Sequence, residues 1–513
     1  MEFLPLYFKD RLQAINPLGD VGVVTLWTPV ERVRQQFVAW SVDLQPETSR
    51  VAVMGNLYGN GLPELLRNLA WNPQIRHLLV LGRNLSGSRE ELTAFFHAGL
   101  ETTLFLGTST WRIVGTQRKI DGLVTPELFG GRIAVTPLGS LRDPETQPGV
   151  AHFFAHLPPP QPVQGERLDF PLPVLTVQHH PSEPLAHTVV GLTPMAAWRE
   201  LIFRIVRFGH RTRLRKGERI ELPNVKVIVK RPVEETAETL SRHGFSLDRF
   251  RAYQKRIMDP TPPQEESYTY GNRLRGYFRP TLADTGDPDA AAIPGWGFPA
   301  EGQAAPLDGL ELAITHLRAD PETRNAYISL WDNSRDLLPE THGHPCLVTL
   351  FLRKFAGALH LTATFRSHNA MDAWPENCYG LMAIQARIAE AVALPCGPLT
   401  IFSHSISVDP LAMERAQAVA KAWSDAGGLD PEAAPHGLRP DPHGEFQITT
   451  DPVTREIVLQ HSFEGQRLTE YRGRTPMELE RQLVRDMAVA DISHALYLGR
   501  EIARHVDRVQ DDG

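Results

Sequence analysis

Two apolar runs restrict the fold more than any other feature of this chain: Leu347-Val348-Thr349-Leu350-Phe351-Leu352 and Leu359-His360-Leu361-Thr362-Ala363-Thr364-Phe365, joined through Lys354 to Ala358. The first reads as a buried strand and the second as its hairpin partner, because short β-prone runs with a short Gly-containing connection pair antiparallel. The pairing has a chemical consequence. Cys346 stands at the open end of the first strand, and Arg366 and Ser367 stand at the far end of the second, on the same sheet edge. An arginine beside a thiol favours its thiolate form. Arg366 and Ser367 together can also hold a phosphate, by a bidentate guanidinium and a hydroxyl.

Past Pro375, the stretch Glu376 to Ala391 has helical apolar spacing at Tyr379, Leu381, Ile384 and Ile388, with Asn377 in its first turn. An Asn side chain donates and accepts, so it can pair with adjacent C=O and N–H groups of a uracil. Asn near a helix start is also a common cap, and both roles stay open at this point. Thiol, anion clamp and amide together suggest chemistry on a nucleotide base.

The length of 513 residues predicts two or three domains. A net charge of −7 gives no general nucleic-acid footprint, so any anion site must be local. The three cysteines, Cys346, Cys378 and Cys396, include no CxxC pair; this argues against a disulfide framework or a structural zinc and fits a reducing compartment. The N-terminus lacks the charge order of a signal peptide, and no apolar run reaches the length of a membrane span. A cytoplasmic protein is expected, with no metal, nucleic acid or membrane partner. Cys378 lies in a helical apolar pattern and reads as core, whereas Cys396 falls at a helix-to-strand connection.

Proline is clustered. Leu157-Pro158-Pro159-Pro160-Gln161-Pro162 followed by Pro171-Leu172-Pro173 reads as a stiff linker over 157–185, dividing a domain at 1–156 from one at 186–513. The zone Arg279 to Leu307 reads as a long surface loop, a lid or a disordered insertion. In the first domain, Val21–Trp27, Val51–Met54 and His77–Gly82 read as strands, and Leu62–Ala70 and Glu90–His97 as helices, which predicts α/β structure on a parallel sheet. The turn Met54 to Gly61 looks like a phosphate cradle but lacks the P-loop ending, and a tight βα turn is the simpler reading. In the second domain, Thr193 reads as a helix cap with Pro194 at the first helical position. The helix to Phe208 leads into a basic loop with Arg211, Arg213, Arg215 and Lys216, then a strand at Val225–Val229. That loop is either an anion site or a solvated charged segment.

The stretch Asn56 to Ser88 resembles the cobalt-ligating component of the corrinoid-dependent methyltransferase of methanogens. That family can supply a histidine as cobalt ligand where this chain has Gly87-Ser88-Arg89, and His97 lies in a helix pattern. A corrinoid is therefore not expected, and a scaffold or docking role is.

Residues from about 190 to 505 resemble the thymidylate synthase family, especially its archaeal-type branch. The matching pieces occur in order: Tyr268–Arg275, Asp320–Arg324, Trp331, Pro345-Cys346, Arg366–Asn377, Ile401–Ser405 and His494–Glu501. The resemblance implies an α/β (α+β) catalytic domain with a large mixed sheet, and a one-carbon transfer from 5,10-methylenetetrahydrofolate or another reduced pterin to C5 of dUMP. It implies that Cys346 adds to C6 and that Tyr270 helps remove the C5 proton. Arg366 and Ser367 would bind the 5′-phosphate, joined by Arg215 and by Arg324 from the partner of a homodimer. Asn377 would read the uracil edge, and Asn369 would meet the pterin.

The chain departs from the family in three places. Asn369 stands where an Asp is usual, and Ser407 and Asp409 stand where a His and a Tyr hold the sugar. The general-acid glutamate has only regional candidates, Glu221, Glu234, Glu235 and Glu238. These departures keep two alternatives open: a nucleotide 5-hydroxymethyltransferase, and a nucleotide-binding regulatory protein without turnover.

Overall fold

Short Val-rich runs flanked by turn residues make strands, and the first four arrange as a sheet buried on both faces. Gln13–Ala14 (β1), Val21–Val24 (β2), helix Val30–Ala39 (α1), Val51–Gly55 (β3), helix Leu62–Trp71 (α2), His77–Val80 (β4) and helix Ser88–His97 (α3) follow in order. Leu100–Phe105 (β5), Thr108–Ile113 (β6) and Lys119–Ile120 (β7) form a small antiparallel sheet of their own, before Ala134–Pro137 (β8) and helix Thr146–Ala155 (α4) return to the first. The strand order is β1-β3-β2-β4-β8. β2 runs parallel to β3 and β4, and β4 parallel to β8; β1 is an antiparallel edge. One apolar cluster collects Leu66 and Phe95 from α2 and α3, another Phe37 and Phe153 from α1 and α4, so helices cover both faces.

The structure, a computed structural model, describes residues 1–59, 61–105, 108–163, 165–171, 180–214, 217–263, 266–279, 306–338, 343–428 and 441–511. Contacts divide the chain into two units, Met1–Gly428 and Leu429–Gly513. The described part of the Pro-rich stretch is fastened to the first sheet's helices. Arg76 Nη2 donates to Pro162 O at 3.1 Å, Arg67 Nε to Phe170 O at 2.8 Å, and Arg167 Nη1 to Trp71 O at 2.8 Å. The expected lid or insertion at 279–307 lies almost wholly outside the described residues.

The larger sheet of the first unit carries the candidate site. Its elements are Thr188–Gly191 (β9), helix Pro194–Phe208 (α5), His210–Leu214 (β10), Gly217–Val229 (β11), helices Ala237–Arg242 (α6), Leu247–Ile257 (α7), Tyr270–Arg275 (α8) and Gly309–Ala319 (α9), Tyr327–Ser329 (β12) and helix Asn333–Asp336 (α10). Then come Leu347–Phe355 (β13), Ala358–Phe365 (β14), His368–Asn369 (β15), helix Ala373–Ala391 (α11), Cys396–Val408 (β16) and helix Met413–Asp425 (α12). The sheet is eight-stranded and mixed, in the order β10-β11-β16-β14-β13-β12, with β15 on β16 and β9 on β11. The hairpin expected from the two apolar runs is β13–β14, and β14 alternates half-buried and buried residues along its length. Thr193 caps α5 by accepting from Ala196 N–H, with Pro194 at the first position.

Two local expectations change. The basic segment after α5 is not a loop but strand β10, paired with β11, where Arg211 meets Glu218 at 3.3 Å. Cross-strand pairing of opposite charges makes the segment extend. Helix α11 starts at Ala373 rather than Glu376. Pro375 sits in its first turn, where a missing N–H has no intrahelical acceptor to lose, so proline does not delay the start.

The unit Leu429–Gly513 has its own core. Glu445–Thr450 (β17), Ile457–Phe463 (β18) and Gln466–Gly473 (β19) form an antiparallel sheet, followed by helices Pro476–Arg485 (α13) and Ile492–Asp511 (α14). Leu459, Leu479, Leu483 and Ile502 pack together, and Thr475 and Glu478 form a capping box at α13. The sequence reading placed these residues with the preceding catalytic domain; their contacts set them apart.

Candidate active site

Strand register gathers the site. Leu347 pairs with Phe365 across the hairpin, so Cys346 and Arg366 lie just past the paired ends. β14 runs parallel to β16, with Phe365 opposite Ser403, and β15 continues the pairing with Asn369 opposite Ser407. Parallel neighbours need a crossover, and α11 supplies it, which brings Asn377 back over the same end.

Cys346 is half-buried, with its Sγ 3.3 Å from Ser367 Oγ. Arg366 is committed to the thiol segment more than expected. Its Nε donates to Pro345 O at 2.9 Å and its Nη2 to His344 O at 3.0 Å, and its guanidinium lies 5.8 Å from the Trp331 ring centroid. Trp331 Nε1 donates to the same Pro345 carbonyl at 3.1 Å. Arg366 therefore fixes where the thiol sits, and its Nη1 is left for an outside acceptor.

Tyrosines back the thiol. The Tyr270 hydroxyl accepts the Leu347 N–H at 3.2 Å. The Tyr268 and Tyr270 rings lie 5.6 Å apart. Burial pushes the phenols of Tyr253, Tyr268 and Tyr270 up, so each is a neutral donor–acceptor rather than a phenolate. Asn377 is buried, and both ends of its amide are engaged: the Tyr253 hydroxyl donates to Oδ1, and Nδ2 donates to His368 Nε2 at 2.9 Å. His368 Nδ1 is 3.0 Å from Ser403 Oγ.

The remaining expected residues divide. Asn369 is near, but its Oδ1 accepts the N–H groups of Met371 and Asp372, both at 3.0 Å, so only Nδ2 is open. Arg324 is exposed in the turn before β12 and makes no hydrogen bond or ion pair among the described residues. Arg215 lies outside the described residues. Asp409 is spent on Arg219, 3.1 Å away, and on the Leu411 N–H, while Ser407 is half-buried. Of the regional glutamates, Glu221 is half-buried on β11, Glu238 is exposed, Glu234 pairs with Arg251, and Glu235 accepts from Met195 N–H and Tyr379. Cys378 is buried in α11, with its thiol pushed up by that burial, and Cys396 is exposed at the start of β16.

Sequence reasoning missed Tyr253, His368, Ser403 and Glu376. His368 and Ser403 were inside quoted motifs but carried no role. Tyr253 sits in a polar helix that gave no signal. Glu376 is buried, its carboxyl raised by that burial against the pull of Arg249, and its charge faces Tyr253. Among the described residues no three His, Cys, Asp or Glu side chains gather to hold a metal, and no helix is long and apolar enough to cross a membrane.

The first sheet's Gly-rich turn is closed by the chain itself. Asn56 Nδ2 donates to Thr25 Oγ1 and Leu26 O, each at 2.9 Å, and to Thr28 O at 2.7 Å. Ser86 Oγ accepts from Trp27 Nε1 at 3.0 Å.

The chain is similar to known proteins in two places. A family model described as PterinBD-DUF4346 matches residues 440–510, within the C-terminal unit and over the His494–Glu501 segment. Three curated relatives carry the name "Putative thymidylate synthase". That of Methanothermobacter thermautotrophicus is 25% identical over 238 residues, covering 44% of this chain and 94% of the relative. That of Methanothermobacter marburgensis is 25% identical over 237 residues, covering 44% and 93%. That of Methanococcoides burtonii is 26% identical over 194 residues, covering 38% and 76%.

Proposed function

We propose that this chain is a one-carbon transferase of the thymidylate synthase type acting on a uridylate, most simply dUMP. The observation that carries the reading is the thiol of Cys346 beside Ser367, on a strand end that Arg366 holds in place, with the amide of Asn377 returned over it by α11. The names of the relatives support a transferase acting on a nucleotide, and the match at 440–510 supports a reduced pterin or folate.

In this reading the Cys346 sulfur adds to C6 of the pyrimidine, and the electron pair of the C5–C6 bond moves to C5. A reduced pterin supplies the one-carbon unit when bound. Arg366 Nη1 and Ser367 hold the 5′-phosphate. Arg215 joins them, and Arg324 reaches across from the second copy of a homodimer. Asn377 pairs with the base edge. Tyr270, a neutral phenol at the root of the thiol strand, helps pass the C5 proton. Asn369 fits a pterin only in part. Its open Nδ2 can donate to a ring carbonyl, but its Oδ1 is spent and it brings no charge to a pterin N–H edge. No step is assigned through it.

Tritium release from 5-tritiated dUMP with methylenetetrahydrofolate tests the reading. Release is expected; a chain that binds dUMP and releases none overturns it. The occupied Asp409 and the serine at 407 favour hydroxymethyl transfer, or a different sugar, as the second reading, and mass spectrometry of the product separates methyl from hydroxymethyl.

A further inference from the structure

The directions of the hydrogen bonds around Asn377 follow from chemistry. An amide nitrogen only donates, so His368 Nε2, 2.9 Å away, accepts and carries no proton. Burial pushes His368 down to about 3, so the ring is neutral and its single proton is on Nδ1, donated to Ser403 Oγ at 3.0 Å. At the other end of the amide, the Tyr253 hydroxyl donates to Oδ1.

Turning the amide over would ask different things of the two sides. His368 and Ser403 could answer it by exchanging tautomer and hydroxyl direction. Tyr253 could not. Its hydroxyl has no other acceptor among the described residues, so its proton would face an NH₂ group in a buried place. The amide is thus held with one N–H left on Nδ2 and one lone pair left on Oδ1.

We propose that Tyr253 and His368, with Ser403 behind it, hold the Asn377 carboxamide in one orientation and thereby make the site select a uracil edge over a cytosine edge. This rests on the nucleotide reading above. Uracil offers a carbonyl and an N–H to the remaining donor and acceptor. Cytosine offers an amino group and an unprotonated ring nitrogen at the same places, donor against donor and acceptor against acceptor. Tyr253 and His368 act through Asn377 and are positioning residues.

Equilibrium binding of dUMP and dCMP to the full chain, as wild type and as Tyr253→Phe, tests this. The wild type should favour dUMP by about tenfold or more. Tyr253→Phe frees the amide to turn and should narrow the ratio by about fivefold or more, chiefly through tighter dCMP binding. Ser403→Ala should narrow it less. An unchanged ratio in folded Tyr253→Phe overturns the proposal, as does equal binding of the two nucleotides by the wild type. If Tyr253→Phe does not fold, imidazole ¹⁵N resonances of the wild type decide: His368 protonated on Nδ1 supports the proposal, and protonation on Nε2 overturns it. A wild type that binds neither nucleotide overturns the functional reading beneath.

Discussion

The ends of the two α/β sheets look alike in sequence and differ in what their hydrogen bonds do. In the first sheet, the crevice beyond β2 and β4 is where an open parallel sheet would take a ligand. There the chain fills its own space. A Cβ on Gly82, whose φ is +103°, would stand 2.5 Å from Thr25 O and 2.7 Å from Thr28 Oγ1. Asn56 ties three groups of the neighbouring loop. At the end of the second sheet, Cys346, Arg366 Nη1 and both ends of Asn377 keep capacity beyond their internal bonds. Glycine in the first case marks the approach of chain to chain, and a run of glycines without spare donors is weak ground for a phosphate site.

The largest expected break in this contrast is Cys346→Ala. Turnover measured by tritium release should fall about 10⁴-fold or more while the dUMP Kd moves less than about threefold. The same change at Cys378 or Cys396 should leave turnover chemistry intact.

A pH titration reads the first domain's side. Glu64, buried in α2, is raised to about 7 by desolvation and the Asp409 charge, against Arg219 and Arg67. Its folded pKa exceeds its unfolded one, so its stability contribution is present below about 4.5 and is lost as pH rises through about 7, by about 3 kcal/mol in all. Glu64→Gln should flatten that loss in thermal unfolding across pH 4 to 8, about the span of the shift. His368 runs the other way. Its folded pKa is depressed, so its contribution is present above about 6.5 and is lost as pH falls toward about 3.

A smaller effect is expected from Arg366→Ala, which should weaken dUMP binding by about tenfold to a hundredfold in calorimetry, because a charge-assisted phosphate contact goes and the thiol segment loosens. The smallest is Asn56→Ala. It should cost about 1 kcal/mol in denaturant unfolding and leave the dUMP Kd unchanged. A change in nucleotide affinity there would erase the contrast between the two sheet ends.

What was legible in the sequence was local. β13 and β14 alternate, turn tightly and place Cys346 beside Arg366, all within one hairpin. The parallel sheet followed from its Val runs and intervening helices. The roles of Arg366 and Asn369 were half legible, because sequence names a donor set without saying which donors the chain consumes itself. Tyr253 was not legible, since its partner lies 124 residues away and its own helix has no distinguishing pattern. The separate core of 429–513 was missed because its strands carry alternating, largely polar runs that need each other to bury anything.

Those sequence separations also order the assembly in time. The Cys346–Ser367 contact spans 21 residues, His368–Ser403 spans 35, and Tyr253–Asn377 spans 124. Contacts close in sequence form fastest, because less loop entropy must be lost to close them. A refolding chain therefore holds its thiol and serine together before the tyrosine arrives. During that interval the nucleophile is in place while the amide is still free to turn, so renatured protein that stops short should bind pyrimidine nucleotides without discrimination before it binds them with it.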